Sequence, residues 1–231
     1  SKRHGALNLL SYRDKGFLPK ALLNYIVRLG WSHGDQEIFS INDMIKLFEL
    51  KNINNSPASF NQEKLEWINQ SYIKTTGIEE LVDNLKWHLN QLSIDLANGP
   101  DINEVVESLR ERSKSLVDMA QSCVMFYNDF TDFESGQASK VFNLESKLIL
   151  DDLYMQLKVL EHWNAENIHS VINNICEIRG VGFRKVGQPF RLALSGDGKA
   201  GSIDISAQFV GKKRTISRLK MAIKWINSLD S

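Results

Sequence analysis

Lysine and arginine are the residues through which this chain could most readily do chemistry. Between Arg179 and Lys224 eleven of them face two acids, Asp197 and Asp204, a local surplus of nine positive charges in a 231-residue chain whose 28 basic and 28 acidic residues cancel overall. Such polarisation within a neutral protein suits a polyanion docking at one end, although a solvated basic helix face accounts for the same charges. Lys212, Lys213 and Arg214, followed by Arg218 and Lys220, would set phosphate-contacting cations at the start of the last helix, where unpaired backbone N–H groups already favour anions. Contacts of this kind position a nucleic acid without reading its sequence. Metal chemistry is not expected: the five histidines show no ligand spacing, and His162 and His169 have no Cys or third His beside them. Cys123 and Cys176 fit neither a metal nor a redox spacing and read as buried thiols in a reducing, cytoplasmic setting. Trp31, Trp67, Trp163 and Trp225 lie among apolar neighbours at helical spacing and are expected in the core, while Trp87 beside His88 stays open.

The elements that must position these bases read as helices. Apolar content of 42% and charged content of 24% suit a globular chain of one to three domains, and no run approaches the ~18–20 apolar residues that span a bilayer. Pro19 sits in the first turn of a helix in which Leu22, Leu23, Tyr25, Ile26 and Leu29 follow at helical spacing before Gly30. Ser40 with Asp43 forms a capping box, Asn61 caps 62–70, a helix over 78–92 follows Gly77, and Asp101 opens 102–110. Further helices are expected over 113–127, 144–160, 165–177 behind Asn164, 188–194 and 215–226. Residues 128–143, polar and containing Gly136, read as a loop; 37–39 resembles a strand, and 203–209 fits strand or helix. The fold class is therefore mainly α.

Several segments carry a family signature in order and spacing. Ser1-Lys2-Arg3 precedes a Gly-containing turn, then come Gly16-Phe17-Leu18-Pro19, Ala21-Leu22-Leu23-Asn24-Tyr25, Leu29-Gly30-Trp31-Ser32, Phe60–Asn69, Gln188-Pro189, Arg191-Leu192-Ala193-Leu194 and Ser195-Gly196. Together they resemble the carboxyl-terminal part of bacterial glutamyl-tRNA synthetases, class I enzymes, entered within their mobile lysine loop. The resemblance implies a stem-contact helical domain over 1–75, then an all-helical anticodon-binding cage of two subdomains, 76–138 and 139–231.

It also implies roles. Lys2, with Ser1 before it, matches the loop lysine that stabilises charge building on the ATP phosphates during glutamyl-adenylate formation. ATP and Mg would serve the intact enzyme, which attaches glutamate to tRNA(Glu). The chain alone, without the nucleotide pocket, is expected to be inactive and to bind no cofactor. Arg112 falls where the family places the arginine that reads the third anticodon base, cytosine in glutamate tRNAs; its donors-only guanidinium suits cytosine O2 and N3. A solvent-facing arginine paired to Glu107 or Glu111 is the plainer account, and Arg110 is the rival reader. A second reading surface is expected in 197–203, with Lys199 and Ser202, where Ala200-Gly201 stands in place of the family's Ser/Thr-Pro. Gln188 and Arg191 would line the same groove, Arg191 equally well as a structural ion pair. The expected protein is a monomer with no membrane partner. A synthetase that also accepts or prefers tRNA(Gln), and a helical protein-interaction scaffold, are the alternatives.

Overall fold

Side-chain caps and proline set most of the helix starts. The computed structural model describes residues 8–54 and 59–229, and among these it contains thirteen α-helices. They fall into two compact units. The first comprises Ser1–Ile94 with Asp101–Cys123, the second Asp95–Pro100 with Val124–Ser231.

The first unit carries α1 (Leu9–Asp14), α2 (Pro19–Gly30), α3 (Ile41–Leu47), α4 (Gln62–Thr75), α5 (Ile78–Gln91), α6 (Ile102–Leu109) and the start of α7 (Leu116–Tyr127). Pro19 is at the first turn of α2, and Ser40 and Asp43 form the expected capping box of α3. Leu65, Ile68, Tyr72 and Ile73 of α4 recur at helical spacing and are buried, α4 packing against Leu22 and Tyr25 of α2. Trp67 departs from expectation. It lies two residues beyond Leu65, off that stripe, and is 49% exposed, whereas Trp31 is buried.

Two fully buried asparagines organise the connections. Asn24 Nδ2 donates to the Glu37 carbonyl at 2.9 Å, and Asn24 Oδ1 accepts from the Phe39 amide at 2.7 Å. The segment 37–39 is not a strand: a side-chain amide takes the place of a neighbouring strand's backbone. The described residues contain only isolated bridges, Trp31 to Ile53 and His33 to Gln36. Asn69 accepts from the Leu18 amide at 2.8 Å and donates to the Lys114 carbonyl at 2.7 Å. Gly16, at φ +83°, lets the chain pass beneath α7: an added Cβ would stand 2.5 Å from the Val117 nitrogen.

The second unit holds the end of α7 and α8 (Ser135–Val141), α9 (Leu144–Val159), α10 (Ala165–Arg179), α11 (Phe183–Ser195), α12 (Ile203–Val210) and α13 (Lys212–Asn227). Its core joins Phe142, Leu150, Leu153, Ile172, Phe190, Ala207 and Leu219. The sequence reading is corrected at three places here. Residues 128–143 are not all loop, since Glu134 accepts from the amides of Gly136 and Gln137 and so caps α8 despite the glycine. Helix α11 begins at Phe183 and runs through Pro189; at 203–210, where strand or helix was open, the chain is helical. Helix α13 starts at Lys212, so its first turn is basic.

Candidate nucleic-acid interface

The connection between α6 and α7 separates the two rival arginines. Arg110 is largely buried: it pairs with Glu107 at 2.7 Å and donates to the carbonyls of Ile73, at 3.1 Å, and Thr76. Its donors tie the end of α4 to the end of α6. Arg112 lies two residues on, in the turn closed by the Arg112 and Ser113 amides on the Leu109 carbonyl. Its side chain is exposed and has no hydrogen-bond or ion-pair partner among the described residues. The two acids that could hold it are engaged elsewhere, Glu107 with Arg110 and Glu111 with Lys74 at 3.1 Å. The surrounding protein still desolvates the Arg112 guanidinium enough to lower its pKa, which leaves an uncompensated cation wanting an acceptor.

In the second unit α10, α11 and the start of α12 converge around the loop 196–202. Arg191 on α11 is half-buried; its Nη2 lies 3.4 Å from the Gly201 carbonyl, and its buried Nε has no partner. Lys199 is exposed, with only Asp197 at 3.5 Å nearby. Ser202 stands exposed before α12, its hydroxyl donating to Asp204. Asp204 also meets His169 Nδ1 at 3.0 Å, and His169 stacks on Phe183 with centroids 5.5 Å apart. No sequence signal pointed to His169, Phe183 and Asp204, because they come from three separate helices. Gln188 does not share this surface. It opens with Gln137, Lys140 and Lys185 into a separate cleft of about 320 Å³ that Arg191 does not line.

The basic first turn of α13 divides its labour differently from the expectation. Arg218 is 4% exposed along its side chain and donates to the carbonyls of Leu194 at 2.5 Å, Met125 at 2.9 Å and Asn128 at 3.0 Å. Arg214 donates to the carbonyls of Phe126 and Asn128 and pairs with Asp129 at 2.8 Å. Burial, and then the Arg214 charge, pull Arg218 down to about 10 against the opposing pull of Asp129. Lys212 donates to the Leu160 carbonyl at 2.6 Å. These three bases hold the chain after α7 and α9 in place, which removes Arg218, and largely Arg214 and Lys212, from phosphate contact. Lys213, Lys220 and Lys224 project from one face of α13 with no acid partner among the described residues, Lys220 resting over the Tyr154 ring at 5.5 Å. Ser1 and Lys2 lie outside the described residues. Among the described residues no group of three or more His, Cys, Asp or Glu is placed to hold a metal ion, and no helix is long and apolar enough to cross a membrane.

A helical scaffold that presents arginine and lysine without acid partners from connecting turns and helix faces is of the class suited to a polyanionic partner. The chain belongs to the anticodon binding domain family, whose model matches residues 80–223; the model of the class I (E and Q) tRNA synthetase catalytic domain matches residues 1–67. The chain is 54% identical over 223 residues to a glutamate–tRNA ligase of Ruthia magnifica subsp. Calyptogena magnifica, and equally to one of Vesicomyosocius okutanii. These alignments cover 96% of the chain and 49% of each relative, so the chain spans about half the length of the curated relatives it matches. A crystal structure of a glutamate tRNA ligase from Elizabethkingia meningosepticum in complex with its amino acid superposes with a TM-score of 0.82 at 29% identity, over 92% of this chain and 42% of that one.

Proposed function

We propose that this chain is the tRNA-binding part of a glutamate–tRNA ligase, and that Arg112 reads the third anticodon base. In this reading 1–75 contacts the tRNA stem, and 76–138 and 139–231 form the anticodon-binding part. The intact, cytoplasmic and monomeric enzyme would use ATP and Mg to join glutamate to tRNA(Glu), with Lys2 and Ser1 of the lysine loop facing the ATP phosphates. The observation that carries the reading is the contrast between Arg110, whose Nη groups bind Glu107 and two carbonyls, and Arg112, which has no partner among the described residues and no acid free to pair with it. Arg191, Lys199 and Ser202 supply donors and an acceptor for the neighbouring bases, and Lys213 offers a phosphate contact.

The test is a titration of the 231-residue chain with anticodon stem–loops that end in cytosine or guanine. Arg112→Ala should abolish about 1–3 kcal/mol of preference for cytosine. A variant that binds both hairpins more weakly by the same factor would exclude Arg112 as the reader. The chain should show no ATP–pyrophosphate exchange by itself, and a measurable rate would contradict that assignment.

A further inference from the structure

A cavity of about 150 Å³ opens within the first unit, between the end of α1, the last turns of α5 and the first turns of α7. Leu92, Val117 and Ala120 give it an apolar wall, and Trp87 and His88 give it a wall of rings. An apolar cavity of this volume takes up a single benzene-sized ring. His88 is the polar group sealed into that wall. It is 4% exposed, meets Trp87 edge-on with centroids 4.8 Å apart, and has no hydrogen-bond partner among the described residues. A buried polar atom without a partner is costly, so a ligand that supplies one is favoured. Burial lowers the His88 pKa, with the Arg13 charge adding and Asp14 opposing. The imidazole is therefore neutral at pH 7, and in either tautomer one of its nitrogens is an acceptor.

Charge at the rim is balanced. Arg13 lies over the Trp87 ring at 4.3 Å and donates through Nε, at 3.1 Å, and Nη2, at 2.9 Å, to Asp14 Oδ1. Asp14 borders the cavity, and its Oδ2 has no partner among the described residues. A cationic ligand would meet Arg13 and an anionic one Asp14, so a net charge gains nothing here. What the cavity offers is an acceptor beside an apolar wall, which suits a neutral flat ring carrying one hydrogen-bond donor.

We propose that the cavity between α1, α5 and α7 is a small-molecule site for a neutral aromatic ring bearing a hydroxyl, a ligand of the phenol class. The ring packs against Leu92, Val117 and Ala120, and its O–H donates to the unpartnered nitrogen of His88. Burial of the ring supplies affinity without regard to its substituent, and the His88 acceptor selects the hydroxyl. The site uses none of the arginines and lysines assigned to RNA contact, so it stands apart from that reading.

The experiment titrates the 231-residue chain with phenol and with toluene, a ring of similar size that lacks the donor, while the indole N–H of Trp87 is followed by NMR. Phenol should shift that resonance and saturate with a dissociation constant on the order of 1 mM, the range open to so small a ligand. His88→Phe keeps a ring in the wall and removes the acceptor. It should lower the ratio of phenol to toluene affinity about 2- to 10-fold, the effect of one hydrogen bond. Val117→Trp fills the cavity from its partly covered side and should abolish uptake of both rings at a wild-type melting temperature. If that variant melts early, the ratio measured with His88→Phe decides alone. Phenol that leaves the Trp87 resonance unmoved, or a His88→Phe chain with the wild-type ratio, would overturn the site. Either result would leave hairpin binding and the role of Arg112 untouched.

Discussion

Arg110 and Arg112 are chemically identical and two residues apart, yet their surroundings give them opposite duties. The Arg110 guanidinium closes the gap between the carbonyls at the end of α4 and the end of α6. Replacing it with alanine should cost about 1–3 kcal/mol for each buried carbonyl left without a donor, seen as a lower melting temperature, while discrimination between hairpins persists. His88 makes a second prediction at this scale. It is 4% exposed, and burial, with the Arg13 charge adding and Asp14 opposing, lowers its pKa. The unfolded chain therefore takes up a proton near pH 6.5 that the folded chain resists, so stability falls as the pH drops below about 6.5. Thermal melts between pH 7 and 5 should show a steeper loss for the wild type than for His88→Gln; equal slopes would exclude His88 as the cause. None of this was visible in the sequence, where Arg110 and Arg112 differed only by alignment and His88 was merely adjacent to a tryptophan.

Helix starts were legible at Ser40, Asn61, Asp101 and Asn164, where a short polar side chain announces them, though the same kind of cap at Asn8 gave no reading of α1. They were not legible where the cap was unusual. Glu134 reaches two amides with a longer arm than the usual capping residues, so the sequence of α8 reads as a loop. Helix α11 begins after Gly182 with no side-chain cap at all, and Pro189 inside it suggested a later start. In α13 the sequence showed a run of bases but not which way each one turns. Arg218 faces inward to three carbonyls, whereas Lys213, Lys220 and Lys224 share the outward face. Arg218→Met should therefore destabilise the second unit, at about 1–3 kcal/mol per orphaned carbonyl. The triple change of the outward lysines to glutamine should leave the melting temperature nearly untouched. A triple variant that melts as early as Arg218→Met would show that this division of α13 is wrong.

Across the whole chain the charge surplus between Arg179 and Lys224 is smaller in space than in sequence. Arg179 pairs with Asp152 at 2.5 Å, Lys185 with Glu145 at 2.9 Å, and Arg214 with Asp129 at 2.8 Å, acids that lie upstream of the stretch. If the remaining free lysines of α13 contact phosphates, replacing Lys213, Lys220 and Lys224 should make the salt dependence of RNA binding shallower by about 2–3 in log–log slope. Affinity should fall for cognate and non-cognate tRNA alike, and an unchanged slope would place the phosphate contacts elsewhere. Cys123, in α7, is fully buried and its thiol is pushed up to about 12 by that burial; burial raises the Cys176 thiol as well, but Cys176 is only partly covered and so can be reached. Because alkylation requires the thiolate and physical access, a maleimide dye should mark the native chain once, at Cys176. A second label then becomes a clock for the opening of α7, timing its unravelling in denaturant without any engineered reporter.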